Sequence, residues 1–170
     1  MKIINNLFII FFLLLLTLSN SYSDDKIKFI DLDSLLEKTN IGKKIIEDLN
    51  IANNNNLLLL KPKEEEIKNR QNEINTQKNI ISKDELKIKI DEYQKQVNDF
   101  QNERQKLIAD FNKQKQEKIN NFFNQVTPII NEYMKEEDLS IIFDKKNIFI
   151  AKSDSNITTD IINLINDKFK

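Results

Sequence analysis

Glu64-Glu65-Glu66 and Glu136-Glu137-Asp138 are the two places in this chain where carboxylates cluster closely enough to suggest chemistry. A carboxylate pair acts as general acid and base, or grips a hard cation, when its surroundings displace one pKa. Both clusters sit in helical pattern dense with lysine, glutamine and asparagine, where a solvated face is the simpler reading. The 170 residues include no histidine and no cysteine, which removes most nucleophile–base arrangements and the usual zinc sites. One glycine, Gly42, cannot build a phosphate-cradling loop, which needs several at close spacing. The composition argues against an enzyme, and no cofactor or metal site is expected.

Any functional surface must therefore come from the elements themselves, and these begin after residue 23. Lys2, the apolar run Leu7–Leu18 and the small residues of Ser21-Tyr22-Ser23 read as a cleavable secretory signal peptide over residues 1–23. The run is too short for a spanning helix, which needs roughly 20 apolar residues, and Asn5 and Asn6 interrupt it upstream. With no cysteine, neither a disulfide nor a lipid attachment site is available in the exported chain. Once Lys2 leaves with the signal, 25 basic residues face 27 acidic ones. That balance gives no electrostatic case for nucleic acid.

The pattern that remains is α+β. Lys26–Asp31 alternates as a short strand, and Leu32–Glu37 reads as one or two helical turns. Thr39 or Asn40 can cap the helix that follows, with Gly42 in its first turn, where its propensity cost does least damage and a close approach needs no side chain. Helical pattern runs from Lys43 to about Asn79, with Ile67, Ile74 and Ile81 at seven-residue spacing and polar residues between them. Pro62 predicts a kink or break around Leu58–Lys61. Ser82-Lys83-Asp84-Glu85 is a capping box, so the turn between the two arms falls near 80–83.

The second arm carries the clearest heptad. Leu86, Ile90, Tyr93, Val97, Phe100, Arg104, Leu107 and Phe111 alternate four and three apart, as a two-helix seam requires. Arg104 reads there as a register-setting or snorkelling residue. From Ile119 to Tyr133 the stripe broadens and becomes aromatic, as expected where the helix re-enters a packed body, and Pro128 should bend it. Leu139–Asp144 and Asn147–Ala151 are two strand candidates for a β hairpin, and Thr158 is the expected cap of a closing helix.

The expected fold is thus a small β body of about three strands per chain, carrying a long antiparallel helical coiled-coil hairpin. It divides into body residues 24–40, an arm over 41–133 and body residues 134–170. Arms of this length extend on the order of 55 Å. So few strands are marginal alone, and their edges invite pairing with other copies, which predicts a homo-oligomer sharing its β body.

The layout resembles the Skp/OmpH family of periplasmic chaperones. The similar pieces are Lys26-Ile27-Lys28-Phe29-Ile30-Asp31, Ile41-Gly42-Lys43-Lys44, Leu139-Ser140-Ile141-Ile142-Phe143-Asp144 and Ile148-Phe149-Ile150-Ala151. Asn156-Ile157-Thr158-Thr159-Asp160-Ile161 is similar to the family's Asp-Ile-Thr segment, with Asn156 in place of the acid. The resemblance implies a homotrimer in the periplasm whose arms enclose unfolded outer-membrane proteins without ATP. Known members are markedly basic, whereas this chain is slightly acidic. Lys78, Lys83, Lys87 and Lys89 still leave a basic tip, suited to weak contact with a membrane surface.

Candidate client contacts are Leu57, Leu58, Leu59, Leu60, Phe100, Phe111, Phe122 and Phe123. Four successive leucines point all round a helix, so some are exposed unless another surface covers them. The competing expectation is a structural spacer of the cell envelope, whose hairpin bridges fixed components and holds no client.

Overall fold

The structure, a computed structural model, describes residues 27–170. The signal-peptide reading of residues 1–23 lies outside the described residues. In chain order the elements are β1 (Ile27–Ile30), α1 (Leu32–Lys38), α2 (Asn40–Gln77), α3 (Lys83–Glu136), β2 (Ile141–Asp144) and α4 (Thr158–Lys168). Two single 3-10 turns, Lys145–Asn147 and Ser153–Ser155, lie between β2 and α4.

Thr39 makes the entry into the arm. Its backbone N–H and its hydroxyl both donate to the Leu35 carbonyl, closing α1. The same hydroxyl accepts from the Gly42 amide at 3.2 Å and so caps α2. One residue thereby ends one helix and starts the next, forcing α2 to turn sharply over α1. A β-carbon on Gly42 would lie 2.0 Å from the Leu36 carbonyl oxygen. The lone glycine is there because two backbones touch.

The two strands pair in parallel, Ile27 opposite Ile141 through Ile30 opposite Asp144. Parallel strands need a long crossover connection, and here the whole helical hairpin is that crossover. The far edge of β1 makes a single bridge from Phe29 to Asn156, and the Ile157 amide donates to the Phe29 carbonyl at 3.1 Å. Thr158 fastens this corner: its hydroxyl accepts from the Asp31 amide at 2.9 Å and donates to the Asn156 side chain at 2.6 Å.

The expected β hairpin and the expected cap of the closing helix both need correction here. The β hairpin does not form within one chain: only Ile141–Asp144 becomes a strand, while Ile148 is extended without a ladder partner and Phe149 is fully exposed. Beside β1 the place of a third strand is taken by the Asn156 bridge, and among the described residues nothing pairs with the outer edge of β2. Thr158 is the first residue of α4 rather than its cap; the Asn156 side-chain oxygen Oδ1 accepts from the Thr158 amide at 3.0 Å.

Pro62 does not break the helix, since α2 continues unbroken through it. The carbonyl that loses its partner belongs to Leu58, an exposed residue, where solvent is at hand to take the place of the missing donor. Pro128 is likewise exposed and continuous within α3.

The core is small. Ile30 and Leu35 pack with Phe122, Val126 and Ile129 of α3 and with Ile157, Ile161 and Ile165 around α4. All of it lies at the body end of the molecule. Beyond Leu49, the last buried residue of α2, each arm helix has only the other to pack against. Replacing Gly42 with alanine should cost about 1–3 kcal/mol through that forced backbone contact. Urea unfolding checks this; an unchanged midpoint would show that α1 and α2 separate freely.

Candidate functional site

The arm is the only extended surface in the described residues, and its two faces are unequal. On α3 the heptad from Leu86 to Phe111 turns inward: its members are half-buried, except Arg104, which is exposed. On α2 the residues that meet it alternate in character. Leu60, Ile67 and Ile74 are half-buried, but Asn56, Lys63, Arg70 and Gln77 stand between them, at seven-residue spacing. Half of the α2 seam is therefore polar, and the apolar stripe of α3 is incompletely covered.

Charge takes over where apolar contact is missing. Lys118 reaches Asp48 at 2.8 Å, Lys63 reaches Glu103 at 2.6 Å, Arg70 reaches Glu92 at 2.6 Å and Lys89 reaches Glu73 at 2.9 Å. Gln96 adds a 2.8 Å hydrogen bond to Glu66. These contacts run in antiparallel order along the arm and pin its register. Lys89, followed by Arg70, holds the Glu73 carboxyl below its ordinary range, and Lys118 does the same for Asp48. Exposed pairs of this kind contribute little each, typically under about 1 kcal/mol, so the seam aligns the helices more than it clamps them.

The leucine block behaves as a surface. Leu57, Leu58 and Leu59 are 57%, 69% and 57% exposed, while Leu60 turns into the seam beside Asn56. Phe100 and Phe111 are half-buried between the arms. Phe122 is a correction: it is fully buried in the body core and has no surface to offer. Phe123 packs edge-on against it at 5.2 Å between ring centroids and shields the same core. The broadened stripe after Ile119 already pointed to a body, and the two rings belong with it.

At the tip, Lys78, Lys83 and Lys87 are exposed, whereas Lys89 is engaged by Glu73. The turn is closed by the capping box: the Ser82 hydroxyl accepts from the Glu85 amide and the Glu85 carboxylate accepts from the Ser82 amide, both at 3.2 Å. Among the described residues no carboxylate group is arranged to hold a metal ion, and no helix is long and apolar enough to cross a membrane. Glu64, Glu65 and Glu66 and the Glu136–Asp138 cluster are exposed.

The sequence pattern of the family described as outer membrane protein (OmpH-like) matches residues 26–165, nearly all of the arm and body just described. The chain belongs to the OmpH-like family. Its fold also matches a solved chain from Caulobacter crescentus CB15, described as an OmpH-like outer membrane chaperone. That match has a TM-score of 0.70 and covers 84% of this chain and 85% of the other at 14% identity. At that identity the likeness speaks for the fold. No curated protein sequence matches. The OmpH-like body and hairpin thus recur in a chain that shares few side chains with this one.

Sequence reasoning missed the apolar residues Ile51 and Ile108, both about half-exposed and both off the heptad stripe. Their departure from the seam spacing was the available signal. It also missed the role of the Asp31 carboxylate, which caps α1 through the Ser34 amide at 3.1 Å and accepts from Lys145 at 2.9 Å. Lys146 makes a parallel pair with Asp33 at 2.8 Å, so two ion pairs hold the turn after β2 against the start of α1.

The Lys145 ammonium, then the Ser34 amide, pull the Asp31 pKa down to about 2. An unfolded aspartate titrates near 3.9. The lowered value means that this stabilisation is complete above about pH 4 and is lost as pH falls through about 2. Thermal melts at pH 5, 3 and 2 should show a falling midpoint, and Asp31→Asn, which keeps a capping side chain, should flatten part of that fall. With no histidine to titrate, the wild-type midpoint should hardly move between pH 5 and 8. Equal slopes for the two proteins below pH 4 would remove Asp31 from the account.

Proposed function

We propose that this OmpH-like protein is an ATP-independent holding chaperone of the periplasm. In this reading it is exported by its signal peptide and assembles as a homotrimer through the β body, residues 24–40 with 134–170. The arms, residues 41–133, then take unfolded outer-membrane proteins between them and keep them from aggregating.

One observation carries the proposal: the arm is two helices thick, incompletely seamed, and presents Leu57, Leu58 and Leu59 to solvent with no third layer over them. A protein that only needed a rod would gain by covering that surface. Many shallow apolar contacts on an arm that bends cheaply suit a client with no fixed shape. Family membership is consistent with the same role, and the unpaired, exposed segment around Phe149 and Ile150 supplies an edge that other copies can cover.

Sedimentation of the mature protein, alone and after dilution of a urea-unfolded outer-membrane barrel protein into it, tests the reading. A trimer that keeps the client soluble in a defined complex is the expected result. An oligomer that leaves the client to aggregate would instead indicate the envelope spacer. Leu58→Ser with Leu59→Ser should weaken client retention roughly tenfold, the loss of about 1–2 kcal/mol of apolar contact, without changing oligomer mass. Unchanged retention would take the leucine block out of client binding.

A further inference from the structure

The arm is divided along its length by charge and by exposed apolar surface, and the two divisions coincide. Residues 43–63 and 103–118, the body-proximal part, carry nine lysines and arginines against five carboxylates. Residues 64–75 and 91–102 form a sleeve further out with three against seven. Every large apolar side chain exposed on the arm lies either in the proximal part (Ile51, Leu57, Leu58, Leu59 and Ile108) or at the tip (Ile80 and Ile88). The acidic sleeve exposes none.

A groove of about 440 Å³ marks the boundary. Leu57, Leu60 and Phe100 give it apolar walls, and Lys61, Glu64 and Arg104 stand around it. Among the described residues neither Lys61 nor Arg104 takes part in an ion pair, although carboxylates are plentiful on both helices. Arg104 was expected in the heptad as a register-setting or snorkelling residue, and an exposed head beside apolar walls fits the second. It is exposed at the groove, so two cations outside any ion pair stand beside an apolar slot whose lining holds a single carboxylate, Glu64.

We infer that the proximal zone is a docking surface for extended polypeptide segments in which apolar residues alternate with carboxylates, and that the acidic sleeve excludes such segments from the outer arm. The inference rests on the holding-chaperone reading and specifies which client segments bind and where. Apolar side chains enter the groove and cover Leu57, Leu58 and Leu59. Neighbouring carboxylates meet Lys61 and Arg104. Like charge along the sleeve keeps the segment off the middle of the arm, so the client collects on the proximal zone rather than along the sleeve.

Site-specific photocrosslinking in the full-length mature protein tests this, with benzoylphenylalanine placed at Leu58 in one variant and at Asn69, in the sleeve, in another. The probe is a urea-unfolded outer-membrane barrel protein of acidic composition. Crosslinks should concentrate at position 58. The double variant Lys61→Glu and Arg104→Glu, both exposed residues, should keep its helical circular dichroism and lower retention roughly fivefold, the scale of two exposed charge contacts. A client held in solution but crosslinked equally at both positions would leave the holding reading standing and overturn the zoned surface. A client that aggregates in every case would sink both. Crosslinks at 58 between copies of the protein itself, without client, would show that a second copy covers the patch and would overturn the inference as well.

Discussion

Four residue pairs between two parallel strands hold this molecule together, and every other feature follows from their direction. Antiparallel strands could have been joined by a tight turn, but parallel ones require the chain to travel out and come back. Here it travels through about a hundred residues of helix. A flexible loop of that length would cost roughly 4 kcal/mol to close. Two helices lying antiparallel return their ends to the same place, so the hairpin largely prepays that closure. In exchange the body needs only a small core around Phe122, Leu35, Ile161 and Ile165 to lock the junction.

That junction is over-determined on a small scale. Thr39 ends one helix and begins the next, Gly42 lets their backbones touch, and Thr158 joins the end of β1 to the start of α4. Two lysine–aspartate pairs hold the turn after β2. Rigidity is concentrated where the arm begins, and stiffness falls away from it. The seam alternates between apolar and polar residues on α2, and the cross-arm ion pairs give alignment with modest energy. A stiff root and a compliant arm suit the holding role proposed for it.

Much of the arm was readable from local spacing. The capping box at Ser82, the unbroken heptad from Leu86 to Phe111, the turn before Lys83 and the close approach at Gly42 all rest on residues within a few positions of one another. Helix signals repeat every three or four residues, so the pattern contains its own register. The set proposed to face a client was less legible. Leu57–Leu60 promised exposure whatever the helix orientation, and three of the four leucines are exposed. Phe122 could not be sorted from Phe100 or Phe111 by spacing, because a stripe does not say whether a thin helix or a packed body will meet it.

By itself the sequence determined the helical hairpin, the capping box at Ser82 and the tip before it, since each depends on residue type and near neighbours. Only the tertiary structure decided that the strands run parallel, that Asn156 takes the place beside β1, and that 147–151 stays unpaired within one chain. It also decided that Asn56 turns into the seam while three leucines turn out. Strand pairing and the facing of a stripe are settled between residues far apart in the chain, by which edge and which partner surface remain available. A local pattern names what wants to be covered. The fold decides what covers it.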